Sequence, residues 1–496
     1  MTEEEVRQLI NENTELKEAA MQKARRIEEL EGLLMGALLR LEELERRLAK
    51  DSHNSSKPPS SDGLTHKGKP RQKSGKQKGG QPGHQGYTMP QVETPDRVIT
   101  HRPSHCEACR CELPEHTGQI KERRQIHELP ATRLMVTEHR VEAICCPVCQ
   151  HLTAARFPAG IDAPAQYGPQ MQALAVYLSQ YQLLPMERIS ETFADLWGCQ
   201  LSEGTLVTWI REAAQMLSPT MLTLKRLLLA QKVDHVDETG GRIKGLLHWF
   251  HVNATKWLTL YGWHRKRGQE AMDSMGILPA YSGRAIHDRL SSYDHYPCAH
   301  SVCGAHLLRD CLLVAEQDQH PWAQAMYELL LGMLQATEQW RARGAKAVPQ
   351  AERDALVLQY FEVLRQGFAA HQALAPPETA PPPSSATGTR PKKRGRPKQD
   401  DAKNLLDALL KRAEQVLAFL DDLSVPFTNN QAERDLRMIK VQQKISGTFR
   451  SSQGATAFCV IRSYLSTMRK QGRSMLAAMT AVFEGSPFPI AWEPGT

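Results

Sequence analysis

The first pattern along the chain is a heptad repeat of apolar positions over residues 3–50. Apolar side chains alternate at spacings of three and four residues, and Asn13 and Lys23 are its polar interruptions. A repeat sustained over this many heptads is typical of coiled coils, in which two helices bury a shared seam. We therefore predict a coiled-coil helix over residues 1–50 that pairs protomers. An amphipathic helix docked on its own chain is the alternative.

The heptads end at Asp51, and the pattern changes twice before the next long helical stretch. Residues 51–90 are rich in Gly, Pro and Lys, which predicts a basic flexible linker. Residues 91–158 carry paired cysteines and are expected to form a small module. Residues 159–230 have helical periodicity with a helix start at Ser202, and their spacing suits a helix-turn-helix that binds DNA.

A period of two then predicts strands over residues 231–311. The order is three strands, a helix, a strand, a second helix and a strand, which indicates an α/β domain with a mixed sheet. Helical patterns dominate residues 312–425, except for a Pro-rich, basic segment over residues 374–400 that we expect to be disordered. Further helices are predicted over residues 426–480, followed by a C-terminal tail, residues 481–496.

Charge and cysteine content narrow the class of protein. The chain has 496 residues, enough for several domains, and a formal charge of +7 that is unevenly spread. Residues 57–78 hold seven Lys and Arg against one acid, and residues 390–398 hold no acid. Such blocks indicate nucleic acid as partner, with a solvated linker as the alternative.

The same features give an expected compartment. No apolar run approaches the ~18 residues of a membrane span, and the acidic N-terminus is unlike a signal peptide. We therefore expect a cytoplasmic protein without a membrane partner. In that reducing compartment, eleven cysteines favour metal ligation or free thiols over disulfides.

Three acidic residues from separate segments could form one metal site. Asp237 and Asp288 each end a β-rich run, and Glu433 falls in the first turn of a helix that Asn429 or Asn430 could cap. Two aspartates and a distant glutamate that meet in space could hold two Mg²⁺ ions, or Mn²⁺, for phosphodiester chemistry.

Each acid alone is as readily explained as a surface residue or a helix cap, and local competitors exist: Asp234, Glu238, Asp294 and Asp310. Asp234 lies on the opposite strand face from Asp237, so at most one of them points at the site. Basic residues share the side of Glu433 at helical spacing, where a DNA phosphate would lie: Arg437, Lys440 and Lys444.

Two further motifs suit zinc and DNA. The hooks Cys106-x-x-Cys109 and Cys146-x-x-Cys149 are separated by 36 residues, and four thiolates suit one structural Zn²⁺. Unliganded thiols are the alternative, and Cys111 and Cys145 are adjacent spares. Residues 393–398 look like an AT-hook, in which Arg394 and Arg396 would lie in the minor groove. A solubilising linker is the alternative there.

The order of motifs carries a family resemblance. The motifs are DSHNSSKPPSSDG, the paired CxxC hooks, VDETG, AIHDRLSSY, CGAHLLRD and TNNQAERDLRMIKVQQKISG. In this order they resemble bacterial transposases of the insertion-sequence 66 family over nearly the whole chain. The resemblance implies a multidomain α/β fold with a ribonuclease-H-like mixed sheet and a helical insertion over residues 312–425. It implies an Asp-Asp-Glu triad at Asp237, Asp288 and Glu433, a zinc module, and supporting roles for His306 and Arg309.

The implied activity is cleavage and joining of the ends of a mobile element by Mg-dependent hydrolysis and strand transfer. The implied partners are double-stranded DNA of the element ends and the target, a second copy of the chain, and accessory proteins from the same element. The expected location is the bacterial nucleoid. Two rivals use the same scaffold: an inactive DNA-binding regulator, which predicts broken acids although all three are present, and a structure-specific nuclease.

Overall fold

The computed structural model describes residues 3–48, 89–113, 119–129, 132–374 and 399–491. It divides the chain into two compact units. One, the cysteine unit, comprises Lys67–Ala155 and Asp195–Gly198, and the other, the sheet unit, comprises the rest. Most of the predicted linker over residues 51–90 and of the basic segment over residues 374–400 lies outside the described residues.

The heptad segment is one continuous helix, α1 (Glu3–Leu48). Its apolar heptad side chains are about half exposed or more: Leu16, Ile27, Leu30, Leu34, Leu41 and Leu44. Apolar side chains repeated along one seam of an isolated helix gain little unless another surface covers them. The pairing of this helix with a second copy stays a prediction.

The cysteine unit contains two short antiparallel strands, β1 (Ala143–Cys145) and β2 (Leu152–Ala154). An isolated antiparallel bridge joins His105 to Glu112 in the same way. Each Cys-x-x-Cys hook therefore lies at the tip of a small hairpin.

Three helices precede the sheet in the chain. They are α2 (Pro169–Val176), which continues as a π-helical turn over Tyr177–Tyr181, α3 (Met186–Trp197) and α4 (Glu203–Leu229). Ser202 caps α4, because its Oγ accepts a hydrogen bond from Thr205 N at 3.0 Å. The use of these helices as a helix-turn-helix stays a prediction.

The sheet has five strands, in the order β5-β4-β3-β6-β7. They are β3 (Val233–Ile243), β4 (Leu246–Ala254), β5 (Thr259–His264), β6 (Arg284–His287) and β7 (Ala299–Val302). The first three are antiparallel, whereas β3, β6 and β7 run parallel. The predicted α/β class with a mixed sheet is confirmed, and α5 (Gln269–Met275) is the helix expected between β5 and β6.

The first strand of the five-stranded sheet, β3, is longer than its sequence suggests. Asp237 was expected at its end, yet β3 continues through Gly241 to Ile243 and turns at Lys244 and Gly245. Both turn residues have positive φ, 52° and 77°, as a two-residue hairpin requires. Gly241 is needed inside the strand because a Cβ there would lie 2.5 Å from the Phe250 ring. Parallel pairing with β6 nevertheless stops at His235, so Asp237 stands just beyond that pairing.

The prediction of a second helix, between β6 and β7, is wrong. A 3₁₀ turn, Ser291–His295, takes its place and buries Tyr293. The 11 residues between the strands, 288–298, are fewer than the dozen or more of a usual helical crossover.

Eight helices follow the last strand in the described residues. They are α6 (Gly304–Gln317), α7 (Pro321–Ala342), α8 (Gln350–Leu374), α9 (Asp401–Lys411), α10 (Ala413–Asp421), α11 (Asn430–Ser446), α12 (Ser452–Lys470) and α13 (Met475–Phe483). Helices α6 to α10 share one apolar core, which includes Trp322, Leu406 and Phe419. A second core packs α11 and α12 against β4 through Leu436, Phe458 and Phe250.

Candidate functional site

Two of the three predicted acids are fixed by the strands that carry them. Asp237 Oδ1 accepts a hydrogen bond from Glu238 N at 2.8 Å, and Asp288, directly after β6, accepts one from Leu290 N at 2.8 Å. Each carboxylate therefore has one oxygen tied to the local backbone.

The third acid, Glu433, is placed by the beginning of α11. Asn429 occupies the predicted N-cap position, but its side chain makes no cap hydrogen bond. Instead its Oδ1 lies 3.0 Å from His235 Nδ1, and its Nδ2 donates to Val236 O at 2.8 Å. These contacts attach the first turn of α11 to β3 beside Asp237, which the capping prediction did not anticipate.

The turn from β7 into α6 is attached to the same place. Gly304 N donates to Phe427 O at 2.8 Å, and Asn429 N donates to Cys303 Sγ at 3.1 Å. As a result Cys303 Sγ lies 3.8 Å and His306 Nδ1 3.7 Å from Glu433 Oε1. His306 thus lies beside the predicted glutamate, and its supporting role stays a prediction.

Two observations on α6 differ from expectation. Cys303 was not singled out from the sequence, although the spacing Cys-x-x-His at a predicted helix start was a usable signal. Arg309 is half-buried about one turn beyond His306. No ion pair joins Arg309 to the three acids within the described part of the chain.

The acids influence one another electrostatically. Burial raises the pKa of Asp237 well above its usual value, and the neighbouring carboxylates of Glu238, Asp288 and Glu433 raise it further. The side chains of Asp288 and Glu433 are 29% and 26% exposed to solvent, so both can be reached from it. Apart from the guanidinium of Arg267, which contacts Glu238 and lies 3.8 Å from Asp288 Oδ2, the acids offer hard oxygen donors of the kind that a divalent cation such as Mg²⁺ prefers.

Three residues that sequence reasoning missed enclose the acids. The side chain of Glu238, considered only as a competitor, is fully buried and accepts from Tyr293 Oη at 2.6 Å and Arg267 Nε at 2.8 Å. Arg267 Nη2 is also 3.8 Å from Asp288 Oδ2, and its guanidinium lies over the Trp249 ring. Arg267 and Tyr293 are far from Glu238 in sequence, so no local spacing signals this contact.

The other competing acids have structural partners. Asp234 is fully buried and accepts from Asn253 Nδ2 at 2.6 Å, and burial raises its pKa to about 7. Asp294 receives two hydrogen bonds from the guanidinium of Arg412, at 2.6 and 2.7 Å. Asp310 forms an ion pair with Arg289.

The basic side of α11 is exposed, as its helical spacing suggests. Arg437, Lys440 and Lys444 all face solvent. Lys440 differs from the other two because its Nζ donates to Gly240 O on β3, and partial burial lowers its pKa. Arg437 and Lys444 are therefore the freer of the three for a phosphate.

The two cysteine hooks share one backbone conformation. In the first, Cys106 N donates to Cys111 O and Arg110 N to Cys106 O, both at 2.9 Å. The second repeats this with Cys146 N to His151 O and Gln150 N to Cys146 O, also at 2.9 Å. Arg110 and Gln150 follow the hooks with the same positive φ of 58°.

The sulfur atoms are grouped differently from the predicted four-thiolate site. Cys106, Cys109 and Cys111 have Sγ atoms within 4.8 Å of one another, whereas Cys146 and Cys149 belong to no such group in the described residues. Hydrogen bonding from Cys111 lowers the pKa of Cys109 to about 7. The Sγ atom of Cys111, which was expected to be a spare cysteine, therefore lies close to the Sγ atoms of Cys106 and Cys109.

Two further predictions concerned membrane-spanning helices and the AT-hook arginines. The described helices include none whose length and apolar character would suit a membrane crossing. The predicted AT-hook arginines, Arg394 and Arg396, lie outside the described residues.

Fold and site together define an α/β protein with a carboxylate cluster that suits a divalent cation. A model described as "Transposase IS66 family" matches residues 164–457, more than half of the chain, and the protein belongs to this family. A model of a family of unknown function matches residues 2–90. No curated protein matches the chain. Family membership suggests a DNA transposase, that is, a DNA-processing and DNA-binding enzyme.

Proposed function

We propose that this protein binds, cleaves and joins the ends of an insertion sequence, with Asp237, Asp288 and Glu433 as its catalytic carboxylates. The observation that carries this proposal is the environment of Asp237. This carboxylate is partly buried, and after burial itself the groups that raise its pKa are the carboxylates of Glu238 on β3, Asp288 after β6 and Glu433 at the start of α11. A protein gains nothing in stability from gathering like charges, so the arrangement indicates a cation site.

The three acids would hold two Mg²⁺ or Mn²⁺ ions. Such a pair activates the attacking oxygen and stabilises the leaving oxygen of a phosphodiester displacement. The protein contributes rigid ligands, because Asp237 and Asp288 are held by backbone N–H groups and α11 is fixed to β3 through Asn429. Arg267 would hold the carboxylates of Glu238 and Asp288 in place from the side of the sheet.

The sheet is proposed to be of the ribonuclease-H-like type. In support, three antiparallel strands are followed by two parallel ones in the order β5-β4-β3-β6-β7, and α11 packs against the central strand. Helices α7 to α10 come between the second aspartate and the glutamate in sequence, as expected for a helical insertion over residues 312–425.

DNA would contact several surfaces. Arg437, Lys440 and Lys444 would bind phosphates next to the acids, and Arg394 and Arg396 would enter a minor groove. A zinc module over residues 91–158, held by Cys106, Cys109, Cys146 and Cys149, and the helices over residues 159–230 would help to recognise element ends. Helix α1 would pair two copies so that both ends are processed together in the nucleoid, with accessory proteins of the same element as further partners.

A strand-transfer assay tests this function. The substrate is pre-cleaved DNA carrying the inverted repeats found by sequencing around the gene, with Mg²⁺ and a target plasmid. The wild-type protein should join the ends, and Asp288→Asn should reduce joining on the order of 10²-fold or more. The matched control is Asp310→Asn, since Asp310 pairs with Arg289 outside the cluster and should retain activity.

The assay also separates the two rival functions. A structure-specific nuclease would give nicks without joined products. A DNA-binding regulator would shift the DNA in a gel without cutting it. Joining that persists unchanged in Asp288→Asn would rule out the proposed triad.

A further inference from the structure

Cys303, His306 and Glu433 form a second group of potential ligands, separate from the two aspartates. Their ligand atoms, one thiol, one imidazole nitrogen and one carboxylate oxygen, lie within 4.8 Å of one another. Cys303 and His306 are three residues apart at the start of α6, so helical spacing turns both toward α11. The oxygen nearest to both is the same one, Glu433 Oε1.

The separations suit a tetrahedral soft cation. With Zn–S of ~2.3 Å and Zn–N and Zn–O of ~2.1 Å, a tetrahedral site has S···O and N···O edges of roughly 3.6 and 3.4 Å. The observed distances are 3.8 Å from Cys303 Sγ and 3.7 Å from His306 Nδ1 to Glu433 Oε1. A shift of a few tenths of an ångström in the side chains would complete the geometry.

An unsatisfied nitrogen of His306 indicates that the group is incomplete without a ligand. The His306 Nδ1 atom is buried, and it makes no hydrogen bond among the described residues. Leaving a buried polar nitrogen unsatisfied costs free energy, which a bound cation would recover. Cys303 Sγ accepts from Asn429 N at 3.1 Å and donates toward Glu433 Oε1 at 3.8 Å, and burial raises the pKa of this thiol to about 11, so a bound cation must displace the thiol proton.

We propose that Cys303, His306 and Glu433 bind one thiophilic divalent cation, Zn²⁺ or a similar ion, and leave a fourth position open. Mg²⁺ would not take this position because it prefers oxygen ligands and avoids thiolates. Binding displaces the thiol proton of Cys303, which leaves to solvent. Since Glu433 would be shared, the loaded site withdraws this carboxylate from the Mg²⁺ pair and inhibits the enzyme, a consequence that rests on the proposed function.

Cobalt titration of the full-length protein tests the binding itself. Co²⁺ replaces Zn²⁺ and gives a near-ultraviolet charge-transfer band for each bound thiolate. The cysteine unit contributes the same band to every variant, so the difference between wild type and Cys303→Ser isolates the proposed site. We expect Cys303→Ser to weaken the affinity of this site by at least about tenfold, while Cys311→Ala, on the same helix but outside the group, leaves it unchanged.

The serine variant keeps an oxygen that can accept from Asn429 N, so its fold should persist. If it does not fold, His306→Gln provides the same test, because it removes a ligand and keeps the thiol. Equal cobalt stoichiometry and spectra in wild type and variants would overturn the proposal.

Inhibition by zinc provides a second test. The strand-transfer rate of each protein is measured relative to the rate of the same protein without zinc. Wild-type strand transfer should fall on adding Zn²⁺, and Cys303→Ser should need at least about tenfold more Zn²⁺ for the same loss. The two proposals fail separately: Asp288→Asn should lose strand transfer and still bind Co²⁺ at Cys303. Inhibition with the same zinc dependence in wild type and Cys303→Ser would place the inhibitory ion elsewhere.

Discussion

Asp234→Asn should stabilise the sheet unit at alkaline pH and leave catalysis intact. Asp234 lies on β3 three residues before Asp237, and its side chain is fully buried. One oxygen accepts from Asn253 Nδ2 at 2.6 Å, and the other has no hydrogen-bond partner among the described residues. An asparagine has the same shape and can still accept from Asn253, but it carries no charge to desolvate.

The magnitude follows from the pKa of Asp234. Burial raises it from 3.8 to about 7, against smaller opposing effects of Asn253, the Ala254 N–H and Lys470. Between these values the unfolded chain releases a proton that the folded protein keeps, so stability falls as pH rises and the full cost is present above pH 7. At about 1.4 kcal/mol per pH unit, the change from pH 5 to pH 7 is about 3 kcal/mol.

The assay is chemical or thermal unfolding of wild type and Asp234→Asn at pH 5 and pH 8, followed through the sheet unit. The variant should gain about 3 kcal/mol relative to wild type between the two pH values, and it should retain strand transfer. A constant difference between the two proteins across this range would refute the reasoning, because Asp234 would then not be a buried group that titrates near neutrality. Loss of strand transfer would mean that the wrong aspartate had been assigned to the site.

Three further predictions concern packing, DNA and zinc. Gly241→Ala should cost about 1–3 kcal/mol in unfolding free energy because its Cβ would meet the Phe250 ring at 2.5 Å, whereas Gly332→Ala, with open space around it, should not destabilise. Replacing both Arg437 and Lys444 with alanine should lower the salt dependence of DNA binding by about 2 in the log–log slope, and an unchanged slope would remove them from the interface. Cys146→Ser should release the zinc of the cysteine unit, measured by metal analysis, while Cys111→Ser should retain it. The reverse result would assign the ion to Cys106, Cys109 and Cys111.

Much of the sheet could be predicted because its strands have clear local signals. Alternating apolar residues and β-branched side chains mark the five strands, and their number and chain order agree with the structure. Their boundaries were less predictable. Asp237 was expected to end its strand, but pairing with β4 continues through Gly240 and Gly241. The crossover to β7 was read as a helix, although its length allows only a 3₁₀ turn.

The candidate site was predictable only in part, for a related reason. Strand parity put Asp237 and Asp234 on opposite faces, the order of motifs selected Asp237, and the structure gives these two residues different surroundings. Arg267 and Tyr293 could not be found in this way, because their contacts with Glu238 join segments that are distant in sequence. Asn429 was read as a cap from its local position, yet its side chain is used to hold β3.

The charged partners of the carboxylates near the sheet provide a physical argument about which of them serve function. Asp294 and Asp310 have arginine partners, and Asp435 has Lys470 at 2.8 Å, so each is already balanced by a cation of the protein. The pKa of Asp237 is instead raised by the carboxylates of Glu238, Asp288 and Glu433. The one guanidinium of Arg267 lies near both Glu238 and Asp288. Folding alone does not favour such an arrangement, because a buried carboxylate without a cation is costly. We therefore propose that the missing positive charge comes from outside the chain, as a bound divalent cation.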